Sequence, residues 1–158
     1  MLRKLLMRKV ERGKRKENSF EADFLGKVRM NDFFYKKLEA YKLAKEFTIY
    51  VYSLLKAYPI YEQYAICDQL RRAAVSVPSN IAEGMGRMSV KERLHFLEIS
   101  YASIMEVLCQ LDISLSLGYI NEAQLSEAES LATTLTKVMS GLRKSLENKN
   151  KANQEGLE

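Results

Sequence analysis

From Leu94 to Leu115 the chain places Leu94, Leu97, Tyr101, Ile104, Leu108, Leu111 and Leu115 at alternating steps of three and four residues. Such steps return to one side of an α-helix, whereas a half-buried strand needs steps of two. The run is far longer than an ordinary strand, so the segment must be a long amphipathic helix burying one stripe. A second stripe follows at Leu125, Ala128, Ala132, Leu135, Met139, Leu142 and Leu146. Two earlier segments carry the same period, first Ala40, Ala44, Phe47, Val51, Leu54 and Tyr58, then Ile66, Leu70, Ala73, Val77 and Ile81. Nothing reads as a β-hairpin. The fold class is all-α.

End signals divide the stripes into four helices. Asn31 or Asp32 can cap the start of helix one, and Pro59 ends it by pushing Tyr58 out of the α region. Helix two runs from Ile60 or Tyr61 to Glu83. Pro78 removes one of its hydrogen bonds and predicts a kink rather than a stop, with Gly84 and Gly86 as a flexible exit. Ser89 and Glu92 form a capping box before helix three, and Gly118 stands where its left-handed stop is expected. Asn121 and Gln124 open helix four in a similar way, and the tail after Lys149 is polar and frayed. Short links between long helices make sequential neighbours antiparallel, which predicts an up-down-up-down four-helix bundle over residues 30–149, followed by a polar tail at 150–158. At 158 residues and 47% hydrophobic content the chain can fill one core. Leu43, Tyr50, Phe96, Ile99, Leu131 and Val138 flank the stripes, more apolar surface than a lone bundle needs, and this predicts self-association.

The net charge of +5 is unevenly placed. Met1 to Arg29 holds ten Lys or Arg against four Asp or Glu, a net of +6, so the remainder is close to neutral. That segment, residues 1–29, reads as a basic arm, disordered or transiently helical. Met30 looks like an ordinary start, so the arm is either native or a segment ahead of the true beginning. No stretch approaches the ~20 apolar residues of a membrane span, and no signal peptide is recognisable. Cys67 and Cys109 sit in helical patterns without CxxC spacing and read as buried reduced thiols. A cytoplasmic protein with no membrane partner is expected.

The best motif for chemistry is Glu92-x-x-His95, a spacing used by di-iron bundles. Those centres need two such motifs and two further glutamates, while this chain has a single histidine. With Leu94 on the inner stripe, Glu92 and His95 point outward. The same histidine cannot serve a nucleophilic triad, and Gly84-x-Gly86 lacks the strand and lysine of a phosphate loop. No catalytic site, metal or cofactor is expected.

What stands out instead is polar. Gln69, Arg72, Ser76, Asn80 and Glu83 share one stripe of helix two, with Arg71 and Ser79 beside it. Ser100, Ser103, Glu106 and Gln110 repeat the spacing on helix three. One reading is a polar seam that sets helix register or subunit packing, its arginines paired with glutamates. The other is a nucleic-acid or partner contact surface on which Arg71, Arg72 and Arg87 each hold an anion.

The run Leu70-Arg71-Arg72-Ala73-Ala74-Val75-Ser76-Val77-Pro78-Ser79-Asn80-Ile81-Ala82-Glu83-Gly84, followed by Gly86-Arg87, closely resembles the signature of the four-helix-bundle proteins encoded in intervening sequences of bacterial 23S rRNA genes. Tyr58-Pro59, Glu62, Gln69, Ser103, Glu106, Gln110-Leu111 and Gly118-Tyr119-Ile120 fit the same pattern. The likeness spans about Phe33 to Leu146. It departs at Leu38-Glu39-Ala40-Tyr41, where many members place a tryptophan, and this affects local packing. The resemblance implies a ring-shaped homopentamer whose biochemical role is poorly defined. The related accessory proteins of diversity-generating retroelements share that assembly and bind nucleic acid and a reverse transcriptase. They are strongly basic, and the neutral body here weakens the transfer. The expectation is a non-enzymatic homo-oligomer that binds rRNA, another nucleic acid or a ribonucleoprotein partner. The alternative is a protein-interaction scaffold without a nucleic-acid role, such as an accessory subunit to a reverse transcriptase.

Overall fold

The structure, a computed structural model, describes residues 33–155. The basic arm and the expected caps Asn31 and Asp32 lie outside the described residues. Four helices, α1 (Glu39–Leu54), α2 (Ile66–Gly86), α3 (Val90–Ser116) and α4 (Glu122–Glu155), form a four-helix bundle with no strand among the described residues. Packing is cyclic, with α1 on α2, α2 on α3, α3 on α4 and α4 on α1. Phe47, Leu70, Val77, Ile81, Ile104, Leu111 and Leu135 are fully buried at the centre.

The expected inward faces of α1, α2 and α4 are inward, with Ile66, Leu125 and Leu142 half-buried against the core and the other stripe residues buried. Their ends differ in instructive ways. Helix one is not continuous from the extreme start, because a 3₁₀ turn at Phe34–Lys37 is broken by extended Leu38 before α1 begins. The break brings the ring of Tyr35 edge-on to Tyr41 at 4.8 Å. Residues six apart in an unbroken helix point to different sides and would not meet. At the far end α1 tightens into 3₁₀ residues Leu55–Ala57 and stops at extended Tyr58, ahead of Pro59.

Helix two starts later than its pattern predicts. Ile60–Glu62 form a separate 3₁₀ turn, Ala65 is non-helical, and the α-helix begins at Ile66, whose N–H donates to Glu62 Oε2 at 3.5 Å. Gly84 is not a loose exit either. It is buried within α2, where an added Cβ would lie 2.8 Å from Phe96 Cβ of α3. The glycine is a point of close helix approach.

The largest correction concerns α3. Leu97, Ile104 and Leu111 are buried as expected, but the alternate positions are rotated by one residue. Ser100, Val107 and Ser114 point inward, while Tyr101 is 49% exposed and Leu94, Leu108 and Leu115 are half-buried flanks. The rotation also leaves Cys109 exposed rather than buried, unlike Cys67. Burying serines is tolerable here because each hydroxyl has an acceptor. Ser100 Oγ donates to the Val77 carbonyl at 2.9 Å, and Ser114 Oγ to its own helix at Gln110, 2.7 Å away.

The two expected caps differ. The Asn121–Gln124 box closes reciprocally, each side chain accepting the other residue's N–H at 2.9 Å. Ser89 takes the N-cap conformation, but its side chain makes no cap bond. That end is open to water, which can satisfy the free N–H groups instead. Gly118, at φ +74°, ends α3 with bonds from Gly118 N–H to Leu115 and from Tyr119 N–H to Ser114, the paired C-terminal motif that only a left-handed residue permits.

Candidate functional site

Pro78 organises the polar side of α2. Lacking an N–H, it leaves the carbonyl of Ala74, four residues earlier, without its helical donor. Thr48 Oγ1 of α1 lies 2.8 Å from that oxygen and the same distance from Ala44 O of its own helix. Ala44 O stands at the ordinary helical position for the Thr48 N–H, so the hydroxyl is needed at Ala74. Because Ala74 is fully buried, the donor replaces water that cannot reach it. Nothing in the apolar periodicity of α1 marks Thr48 for this task.

Two residues beyond Pro78, Asn80 Nδ2 donates to Ser76 O at 2.7 Å and to Ser76 Oγ at 2.8 Å. Ser76 Oγ lies 2.8 Å from Ser103 Oγ, and Ser103 Oγ donates to Ile99 O at 3.0 Å. Each hydroxyl owns one proton, so the chain must run Asn80 to Ser76 to Ser103 to the Ile99 carbonyl. It fastens α2 to α3. The structure thus brings together three of the predicted polar residues.

The remaining ones separate. Ser79 Oγ donates back to Val75 O at 2.8 Å, and Gln69 is exposed. Glu106 is exposed and accepts from Gln110 Nε2 at 3.0 Å, while Gln110 Oε1 is buried without a donor among the described residues. Glu83 is held by Arg87, whose guanidinium also stacks over Phe96 at 4.7 Å. The Arg87 carbonyl accepts Arg93 Nε at 2.7 Å, so Arg87 braces the α2–α3 turn from both sides. Arg71 donates through Nη1 to Gln63 O at 3.2 Å, and Arg72 pairs through Nε with Asp68 at 3.0 Å. Of Arg71, Arg72 and Arg87, only Arg87 is paired with a glutamate. Arg72 is the most exposed of the three, with 74% of its side chain in solvent.

Arg71, Arg72, Val75, Ser76 and Ser79 of α2 line a shallow depression of about 410 Å3, with Tyr52 of α1 completing the lining. Its lining contains two cations and no carboxylate. The apolar pattern of α1 gave no warning that Tyr52 would share a surface with the arginines.

A second cluster joins the α1–α2 and α3–α4 links of the bundle. Tyr119 Oη donates to Glu62 Oε1 at 2.9 Å, and Tyr61 Oη lies 3.4 Å from Tyr119 Oη. These contacts, led by Tyr61 and then the Glu62 carboxylate, hold the Tyr119 hydroxyl well above the usual tyrosine range. Burial likewise raises the Cys67 thiol, against the pull of Arg71, which keeps it protonated and unreactive at neutral pH.

The single histidine, His95, is exposed beside the Phe96 ring. Among the described residues, no group of three or more His, Cys, Asp or Glu side chains comes together to hold a metal ion. Nor is any described helix long and apolar enough to cross a membrane. The polar groups pair with backbone and with one another, as positioning devices do.

Comparison with known proteins agrees with the architecture. A family model described as 23S rRNA-intervening sequence protein matches residues 36–141. No curated protein matches the chain. Among solved structures, a protein of unknown function from the S23 ribosomal protein family of Bacteroides thetaiotaomicron aligns with a TM-score of 0.60 and 21% identity, covering 66% of this chain and 98% of that one. At that identity the likeness carries the fold alone.

Proposed function

The chain belongs to the 23S rRNA-intervening sequence protein family, and from that premise we propose that it is a non-enzymatic, self-associating bundle that binds RNA or a ribonucleoprotein partner. The observation that carries this reading is the depression on α2 lined by half-buried Arg71 and exposed Arg72, with no carboxylate in its lining and Asp68 held against Arg72 from outside it. Arg87, committed to Glu83 and Phe96, is the weakest of the three candidate contacts. In this reading the helices run antiparallel, up-down-up-down, with α2 bent at Pro78, and the protein works in the cytoplasm.

Self-association is supported by a different face. Between Leu94 and Ser116, α3 has no Lys or Arg and leaves Met105 and Ile113 exposed, with exposed Leu117 just past its end. Surface of that kind favours a second copy over a nucleic acid, and the proposed assembly is a homopentamer.

Phosphate contacts release counterions, so affinity must fall steeply with salt. Gel-shift titrations of the full chain against 23S rRNA fragments at rising salt test this, and salt-independent or absent binding overturns it. Removing Met1 to Arg29 weakens binding if the arm contributes. Light scattering gives a mass near that of a pentamer, whereas a monomer at micromolar concentration removes the assembly. Stoichiometric recovery of one protein, insensitive to nuclease, would establish the scaffold reading instead.

A further inference from the structure

We propose that the depression between α1 and α2 takes single-stranded RNA, with a base stacked on Tyr52 and its phosphate held by Arg71 and Arg72. This deepens the RNA-binding reading and rests on it. Three observations point the same way.

The first is the composition of the lining. Tyr52, 41% exposed, supplies an aromatic ring in the same depression as two guanidinium groups and the hydroxyls of Ser76 and Ser79. An apolar helix seeking a groove would find only Tyr52 and Val75 to bury against.

The second is what the cations have free. Arg72 uses Nε for Asp68, so its two terminal nitrogens remain for a phosphate, and an exposed ion pair of this kind is easily redirected. Arg71 spends one Nη1 bond on the Gln63 carbonyl. That bond fixes the guanidinium in place before any ligand arrives.

The third is continuity. By reaching Gln63, Arg71 links the depression to the α1–α2 connection, where Tyr64 is 94% exposed and Ile60 and Tyr61 are also open. A second aromatic ring, Tyr64, therefore follows directly on the residue whose carbonyl Arg71 holds. Exposed rings near cations suit a strand whose bases are unstacked from one another. A duplex keeps its bases inside and presents mainly backbone and 2′-hydroxyls to a shallow surface.

The test uses the full chain and a labelled mixed-sequence RNA strand of about a dozen nucleotides, compared with its duplex by fluorescence anisotropy. The single strand is expected to bind at least roughly tenfold more tightly, and Tyr52→Ala to weaken it by roughly tenfold while Tyr52→Phe does not. Tyr64→Ala is expected to weaken it less. Circular dichroism shows whether each variant keeps its helices. Equal binding of duplex, or a Tyr52→Ala variant with unchanged affinity, overturns the single-strand assignment while leaving salt-sensitive RNA binding intact. A change in oligomer mass with unchanged RNA affinity makes this face a contact between copies and overturns it equally. No binding of either RNA by the folded chain removes both the assignment and the reading beneath it.

Discussion

The contacts of α2 with α3 and of α3 with α4 are built on opposite rules. Between α2 and α3 small and hydroxylic groups join the apolar core, with Gly84 against Phe96, Ser100 on a carbonyl of α2, and Ser76 on Ser103. The face that α4 buries instead carries Ala128, Ala132, Leu135, Met139 and Leu146, with no hydroxyl among its buried positions. Apolar bulk decides which side of a helix goes inward. Small polar side chains decide how near its neighbour can come and in what register.

That contrast predicts opposite sensitivities. Deleting bulk should hurt most on the α4 side, where Leu135→Ala leaves a cavity costing about 2–5 kcal/mol in denaturant unfolding, while Leu135→Met costs less than about 1.5. Equal stability of the two variants would break the comparison. On the α2–α3 side adding bulk should hurt. Gly84→Ala gains up to ~1 kcal/mol of helix propensity, but its new methyl meets the Phe96 Cβ, which cannot swing aside. Overpacking of about 1–3 kcal/mol should win, giving net destabilisation, and a stabilised variant would show that α3 simply recedes.

A separate effect isolates Pro78. Thr48→Val leaves the buried Ala74 carbonyl unpaired and should cost about 1–3 kcal/mol. In a Pro78→Ala background the restored N–H can serve that carbonyl, so the same substitution should cost little. A double-mutant cycle with no coupling would show that the hydroxyl does not answer the proline. The smallest effect lies at the links. Tyr119 is held above its ordinary pKa of about 10, so its contribution is whole below that pH and is lost as pH rises beyond it. Tyr119→Phe should flatten that alkaline decline, and an unchanged profile would place the loss elsewhere.

How much of this the sequence announces depends on which residues speak. Four helices, the inner faces of α1, α2 and α4, the Asn121–Gln124 cap and the Gly118 stop are all legible, because period and local capping chemistry determine them. The face of α3 is not. Leu94, Tyr101, Leu108 and Leu115 form as good an apolar stripe as the buried one, and periodicity cannot know that Ser100 will find the Val77 carbonyl on another helix. Gly84 misleads for the same reason, since its task is set by Phe96 twelve residues on. At the candidate site the arginines and serines of α2 stand out in the sequence, but Tyr52 and Thr48 do not. Their partners come from across the bundle.

The hydrogen bond from Thr48 to Ala74 also bears on the order in which the chain assembles. An isolated α2 can satisfy that carbonyl only with water, so docking of α1 must exchange a water for a hydroxyl in the same step that seals the core. The middle of α2 is thus complete only when α1 is in place. Slow amide exchange around Val77 and Ile81 should report the union of two helices, and the two should open together as one cooperative unit.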